Sequence, residues 1–200
     1  MSKHIDSWKN SKSVFDQQLY LNLQELNGQY PPHWNSFKTT LNLLNPKRVV
    51  DIGCGAGVYS YLTKQEGIEY IGYDYSEHAV NLAKQKWKAN FECKDYKNLT
   101  IDDIMPEDLV VANGLCDILP DGDDCVSHLL TLNSDYLLLQ RIRLTDRKSY
   151  STEYEAYGII TYEFFHNEKE FDKKLFNSGY KSTKTLLYNG SSIYDVELTK

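Results

Sequence analysis

Residues 49–57 read Val-Val-Asp-Ile-Gly-Cys-Gly-Ala-Gly, an apolar, β-branched run that passes straight into a turn with glycine at positions 53, 55 and 57. Such a run suits a buried strand. Gly53 and Gly55 let the chain reverse sharply and bring its backbone close to a ligand at the N-terminus of the helix that follows. A nicotinamide dinucleotide site would show G-x-G-x-x-G, but position 58 is valine and the spacing is G-x-G-x-G. Asp51, just ahead of the turn, also fits poorly beside a pyrophosphate. A carboxylate there suits a cationic ligand group.

Outward from this turn the texture alternates between short apolar runs and polar segments of helical spacing. Strands are expected at 48–52, 69–73, 90–93, 108–112 and 136–142, with helices at 58–66, 77–87 and 123–132 between them. The unbroken run Leu109-Val110-Val111-Ala112 has no polar face, as a strand covered on both sides requires. The fold class is therefore α/β with a mostly parallel, doubly wound sheet over residues 46–200. Near the C-terminus a charged helix, about 168–178, leads to two strand-like segments around Asn189-Gly190. Asn-Gly favours a type I′ hairpin, so the last strand, about 191–198, is expected to run in reverse. Residues 1–45 read as an N-terminal helical cap of the same domain. Its first helix ends near Asn27-Gly28, Tyr30-Pro31-Pro32 forces an extended break, and a second helix from about Trp34 stops at Asn45-Pro46.

A chain of 200 residues with 41% hydrophobic and 25% charged side chains suits one globular core and excludes disorder and coiled coil. A net charge of −6 argues against nucleic acid, whose phosphates recruit basic faces. No run of ~18 apolar residues is present to span a bilayer, and Met1–Asn10 is polar, so a cytoplasmic protein without membrane insertion is expected. Cys54, Cys93, Cys116 and Cys125 form no CxxC pair and read as free thiols. No metal site is expected, because Gly122 interrupts the cluster Asp121, Asp123 and Asp124, which reads as helix capping.

Strand ends carry the remaining signals. Asp74 closes the second strand 74 − 51 = 23 residues after Asp51, where a carboxylate accepts hydrogen bonds from ribose hydroxyls. Asp95-Tyr96 closes the third with an acid and a ring suited to adenine, and Asn113 closes the fourth at the carboxyl edge, where ligands of open α/β sheets bind. These elements, in this order and with the reversed final strand, resemble the class I S-adenosylmethionine-dependent methyltransferases over about residues 47–200. The resemblance implies a Rossmann-like, seven-stranded sheet and S-adenosyl-L-methionine as cofactor. It assigns Asp51, Gly53 and Gly55 to the methionine part, Asp74 to the ribose, and Asp95 and Tyr96 to the adenine. Asn113, Tyr75 and Cys54 join the cofactor set, Cys54 as a small loop-filling residue rather than a nucleophile.

For the acceptor, the stretch Asn113-Gly114-Leu115-Cys116-Asp117 departs from the Asn-Pro-Pro-Tyr type motif of family members that methylate amide or exocyclic amino nitrogen. Asp117 and His166 are the candidate bases. Arg141 and Arg143, two apart on a strand, are candidates to clamp an anionic substrate group. His33 and Trp34 of the cap, with the tyrosine-rich residues 144–166 read as a long lid-like loop, are expected to line an acceptor pocket. The expected reaction is methyl transfer to a hydroxyl oxygen of a small molecule, a carbohydrate or another metabolite. Transfer to nitrogen or to a protein is the alternative, and a noncatalytic partner with the cofactor fold is a further one.

Overall fold

The computed structural model describes residues 8, 9 and 11–200; the remainder of the expected cap, 1–7 and 10, lies outside the described residues. Two helices lead, α1 (Lys12–Asn27) and α2 (Pro32–Leu44). Pro32 sits in the first turn of α2, where its missing N–H costs nothing. Asn45 ends that helix in the left-handed region at φ 44. The alternating body follows: β1 (Arg48–Ile52), α3 (Val58–Gln65), β2 (Glu69–Asp74), α4 (Glu77–Lys86), β3 (Asn90–Cys93), β4 (Leu109–Asn113), α5 (Gly122–Thr131) and β5 (Tyr136–Thr145). Then come β6 (Tyr150–Ala156), β7 (Ile159–Asn167), α6 (Glu168–Asn177), β8 (Lys181–Leu186) and β9 (Ile193–Thr199).

Strands β3, β2, β1, β4 and β5 lie side by side and parallel, and β9 adds antiparallel to β5 with β8 paired outside it. That is the seven-stranded, mostly parallel sheet with one reversed strand. Two further strands, β6 and β7, make the full sheet nine-stranded. They form an antiparallel hairpin, and β7 runs parallel to the last residues of β5, beyond the end of β4.

Both sheet faces are covered, as a parallel sheet requires. Val49, Val111 and Leu138 point toward α2, α3 and α4, meeting Trp34, Phe37, Tyr59 and Leu62. Their neighbours Val50, Val110, Leu137 and Leu139 point the other way, toward Leu129, Phe171 and Leu175 of α5 and α6. One ion pair clamps the N-terminal edge of the sheet: Arg48 Nε and Nη2 reach the buried Asp108 carboxylate at 2.9 and 2.5 Å.

Two expectations about turns are corrected. Residues 144–166 are not a loop; they are the end of β5 and the β6–β7 hairpin, joined through Tyr157 and Gly158 at φ 54 and 73. The tight left-handed turn expected at Asn189-Gly190 is absent. Residues 187–192 connect β8 to β9, and of that pair only Gly190, at φ 76, is left-handed. The reversed strand thus stands while its turn differs.

Candidate active site

The loop after β1 is bent by two hydrogen bonds onto one acceptor: Gly53 N and Cys54 N both donate to Tyr73 O, at 2.8 and 3.0 Å. Gly53, Gly55 and Gly57 all have left-handed φ, between 52 and 77. Any side chain there is strained, and a Cβ on Gly57 would press on the Phe91 ring at 2.6 Å. Gly55 N donates to Asp74 Oδ2 at 2.9 Å, and Ser76 N donates to Oδ1 at 2.9 Å. Asp74 therefore joins two βα loops. Its side chain is buried, which pushes its carboxyl up to about 6 against the opposing pull of those two N–H donors.

Seven of the expected cofactor residues line one cavity of 630 Å3 at the carboxyl edge of the sheet: Gly53, Gly55, Asp74, Tyr75, Asp95, Tyr96 and Asn113. The volume lies within the ~300–1,000 Å3 usual for small-molecule sites. Asp95 also starts a short 3-10 turn, its Oδ1 accepting from Lys97 N at 3.0 Å. Asp51 and Cys54 are not on the cavity wall. Asp51 turns into the core, where Tyr70 Oη donates to its Oδ2 at 2.7 Å and burial pushes its carboxyl up to about 7. Cys54 is buried in the layer of Val58, Tyr59 and Tyr70.

The same cavity continues past Gly114 and Leu115 to Asp117, Arg141 and Arg143, under Tyr154 and Tyr157 of the β6–β7 hairpin. Arg143 is held twice, Nη1 on Asp117 Oδ2 at 2.6 Å and Nη2 on Glu163 Oε1 at 2.8 Å. Arg141 sits at a break in the β5–β9 register, with φ 64. Its backbone N–H donates to Asp195 Oδ1 at 3.1 Å, while Gln140 Nε2 donates to Asp195 Oδ2 at 2.7 Å.

Three expected acceptor residues lie off this wall. His166 is fully buried, with Nδ1 2.8 Å from Asp123 Oδ1 and its ring against Phe164 and Phe171. Trp34 is a core residue packed edge-on to Tyr30 at 5.4 Å. His33 offers its backbone carbonyl to Gln140 Nε2 at 2.7 Å, and burial, with the Arg141 charge nearby, drives its imidazole down to about 3. A histidine so placed stays neutral. None of the three lines the cavity.

Other cavity residues carried no local sequence signal. Gln18 of α1 accepts from Ala56 N at 3.0 Å through Oε1, capping the glycine loop from 38 residues away. Trp8 of the cavity wall links α1 to the β6–β7 hairpin: Nε1 donates to Thr161 Oγ1 at 2.8 Å, and its ring meets Phe15 at 6.2 Å and Tyr157 at 6.1 Å. Of the four tyrosines in 144–166, Tyr154 and Tyr157 face the cavity, whereas Tyr150 stacks on Phe165 at 4.8 Å.

The wall fits S-adenosylmethionine. Tyr96 Oη, Asn113 Oδ1, Asp117 Oδ1 and Arg141 Nε are buried without a hydrogen-bond partner among the described residues, and all four residues line this one cavity. Buried polar atoms are ordinarily paired, so this concentration marks a place for a polar ligand. Gly53, Gly55 and Gly114 line the same cavity. A family of proteins described as methyltransferase domain matches residues 44–174. The chain belongs to this S-adenosylmethionine-dependent methyltransferase family.

The proteins it resembles are named for different substrates. Ubiquinone biosynthesis O-methyltransferase from Coxiella burnetii is 30% identical over 94 residues, 44% of this chain and 40% of that protein. The Bradyrhizobium diazoefficiens protein of the same name is 36% identical over 76 residues, 36% of this chain and 30% of its own length. The chain thus spans less than half the length of these curated relatives. Among solved structures, magnesium protoporphyrin IX methyltransferase from Synechocystis PCC 6803 with bound S-adenosylmethionine superposes with a TM-score of 0.69 at 18% identity, covering 98% of this chain and 94% of that one. An amino pentose methyltransferase from Micromonospora echinaspora gives 0.67 at 13% identity, covering 91% and 96%. No helix among the described residues is long and apolar enough to cross a membrane.

Proposed function

We propose that the chain transfers the methyl group of S-adenosylmethionine to a hydroxyl oxygen of a small molecule held between Asp117, Arg141 and the tyrosines of the β6–β7 hairpin. The observation that supports this is the continuity of one cavity from Gly53, Asp74 and Asp95 to Asp117 and Tyr154, which offers donor and acceptor a common space. The cofactor, when bound, supplies an electrophilic methyl group on a sulfonium. The chain's own part is alignment and exclusion of water. Asp74 takes the ribose hydroxyls, Asp95 and Tyr96 flank the adenine, and Asn113 meets the methionine end. Asp117 is the one expected base that lies on the wall. Its Oδ2 is spent on Arg143, and its unpartnered Oδ1 is available to accept the acceptor's hydroxyl proton.

The O-methyltransferase names of the curated relatives support oxygen as the methylated atom. The tyrosine walls suit a flat ring or the apolar face of a sugar. Tritiated methyl transfer across a panel of phenols, sugars and hydroxy acids tests the reading. A positive acceptor should lose ~100-fold or more in turnover in Asp117→Asn while cofactor affinity holds. Transfer to none of these, with transfer to the matching amines run beside them, would refute oxygen, and full turnover in Asp117→Asn would remove Asp117 from the chemistry.

A further inference from the structure

We infer that Arg141 binds an anionic group, a carboxylate or a phosphate, on the methyl acceptor, so that the enzyme takes a compact hydroxy acid or phosphorylated alcohol rather than a neutral compound. This rests on the methyl-transfer reading and narrows it.

The two arginines at the end of β5 are not equivalent. Arg143 is saturated, held by Asp117 and Glu163. Arg141 is not: its Nε is buried without a partner among the described residues, and its one ion-pair approach is Nη2 to Asp117 Oδ2 at 4.0 Å, an oxygen already taken by Arg143. The side chain as a whole is 37% exposed, but burying its Nε without a partner is costly, and the fold goes to some length to hold it so. A non-glycine residue at φ 64 is strained. That strain is held by the bond from Arg141 N to Asp195, itself fixed by Gln140. Gln140 in turn accepts from Tyr59 Oη at 2.5 Å, so the support is a buried polar chain anchored in α3.

The direction of the side chain identifies what it serves. A Cβ on Gly114 would collide with the Arg141 guanidinium. The fork therefore lies directly over the end of β4, where the cofactor wall passes into the acceptor chamber. Glycine at 114, at φ 62, makes that room. The surrounding rings, Tyr154 and Tyr157, supply apolar walls, and the second arginine on the wall, Arg143, is already paired with Asp117 and Glu163. A planar fork on a bulge, between aromatic walls and beside the unpartnered Asp117 Oδ1, is built to fix an anion bidentately while a hydroxyl points at Asp117.

An anionic oxygen at Arg141 has two sources, the acceptor or the methionyl carboxylate of the cofactor, and the experiment separates them. S-adenosylhomocysteine and methylthioadenosine, which lacks the amino-acid carboxylate, are titrated into wild type, Arg141→Gln and Arg141→Lys. Then 4-hydroxybenzoate, its methyl ester and inorganic phosphate are titrated into the S-adenosylhomocysteine-loaded proteins. Both nucleosides should bind all three proteins within about threefold. Loaded wild type should prefer 4-hydroxybenzoate over the ester by about tenfold or more, as charge-assisted pairing implies. Arg141→Gln should abolish the preference and Arg141→Lys should keep part of it, a graded response that misfolding would not give. Loss of homocysteine-nucleoside affinity alone in Arg141→Gln would assign the fork to the cofactor and overturn the inference. So would loaded wild type that binds neither anion. If wild type binds no S-adenosylhomocysteine, the methyl-transfer reading falls first and this inference with it.

Discussion

Replacing Asp74 by asparagine keeps the volume of the side chain and removes its charge and one acceptor. In the native chain both carboxylate oxygens accept backbone N–H groups, Gly55 on Oδ2 and Ser76 on Oδ1, each at 2.9 Å. An amide offers one oxygen, so its NH2 must face one of those N–H donors, and the ribose diol that we propose Asp74 holds loses a charged acceptor. A hydrogen bond to a charged group contributes about 1.5–3 kcal/mol, hence about 10–150-fold weaker S-adenosylhomocysteine binding at pH 7.5.

The raised carboxyl adds a pH signature. With Asp74 at about 6, the ligand-free site is ionised above that pH and affinity is flat there. Below it, the carboxyl must release a proton to accept both ribose hydroxyls. The dissociation constant then rises about tenfold per pH unit, so binding at pH 5 should be about tenfold weaker than at pH 7.5. Calorimetric titration from pH 5 to 8, in two buffers of different ionisation enthalpy, reads the affinity and the proton release together. Asp74→Asn should be weak and flat with pH. Wild-type affinity that does not change between pH 5 and 8, or equal affinity in Asp74→Asn at pH 7.5, would refute the reasoning.

Three further outcomes are expected. Asp51 at about 7 lies above its unfolded value, so the native state holds a proton there that the unfolded chain has released. Its stabilising contribution is full at low pH and is lost as pH rises toward 7. In urea melts, wild-type stability relative to Asp51→Asn should fall by about 1.4 kcal/mol per pH unit between pH 5 and 7. Taking the difference matters because His33, at about 3, acts with opposite sign. Arg48→Ala strands the buried Asp108 carboxylate and should cost about 3 kcal/mol in the same melts, with S-adenosylhomocysteine affinity unchanged. Trp8→Ala removes a hydrogen bond and two ring contacts in the cavity wall. Stopped-flow dissociation of S-adenosylhomocysteine should then speed up by as much as about 150-fold, three lost interactions of about 1 kcal/mol each coming to about 3 kcal/mol.

How far the sequence could be read depended on whether a feature was local. The strand-turn-helix at 49–66 and the carboxylates at 74 and 95 follow from adjacent residues, and β1 and β3 begin and end where their apolar runs do. Asp51 sits in the same motif yet faces the core, because Tyr70 on the neighbouring strand supplies the partner that makes its burial tolerable. The β6 strand escaped notice since Tyr150–Ala156 is almost wholly exposed and shows no alternation of apolar and polar residues. A left-handed turn built on Tyr157-Gly158 lacks the usual Asn-Gly signal, and the Asn-Gly that is present makes a longer connection. His166 has no sequence feature that distinguishes a buried partner of Asp123 from a solvent-facing base. Gln18 and the twist of Arg141 depend on contacts 38 and 54 residues away. Those distances are beyond any local pattern.

The account's central claim is that the cavity between Gly53, Asp74 and Asn113 holds the cofactor with its reactive end toward Asp117 and Arg141. A crystal structure of the chain with S-adenosylhomocysteine tests it most directly. The ribose hydroxyls should lie on Asp74, the adenine beside Asp95 and Tyr96, and the sulfur facing Asp117. A nucleoside bound elsewhere, or one whose ribose leaves Asp74 untouched, would contradict it.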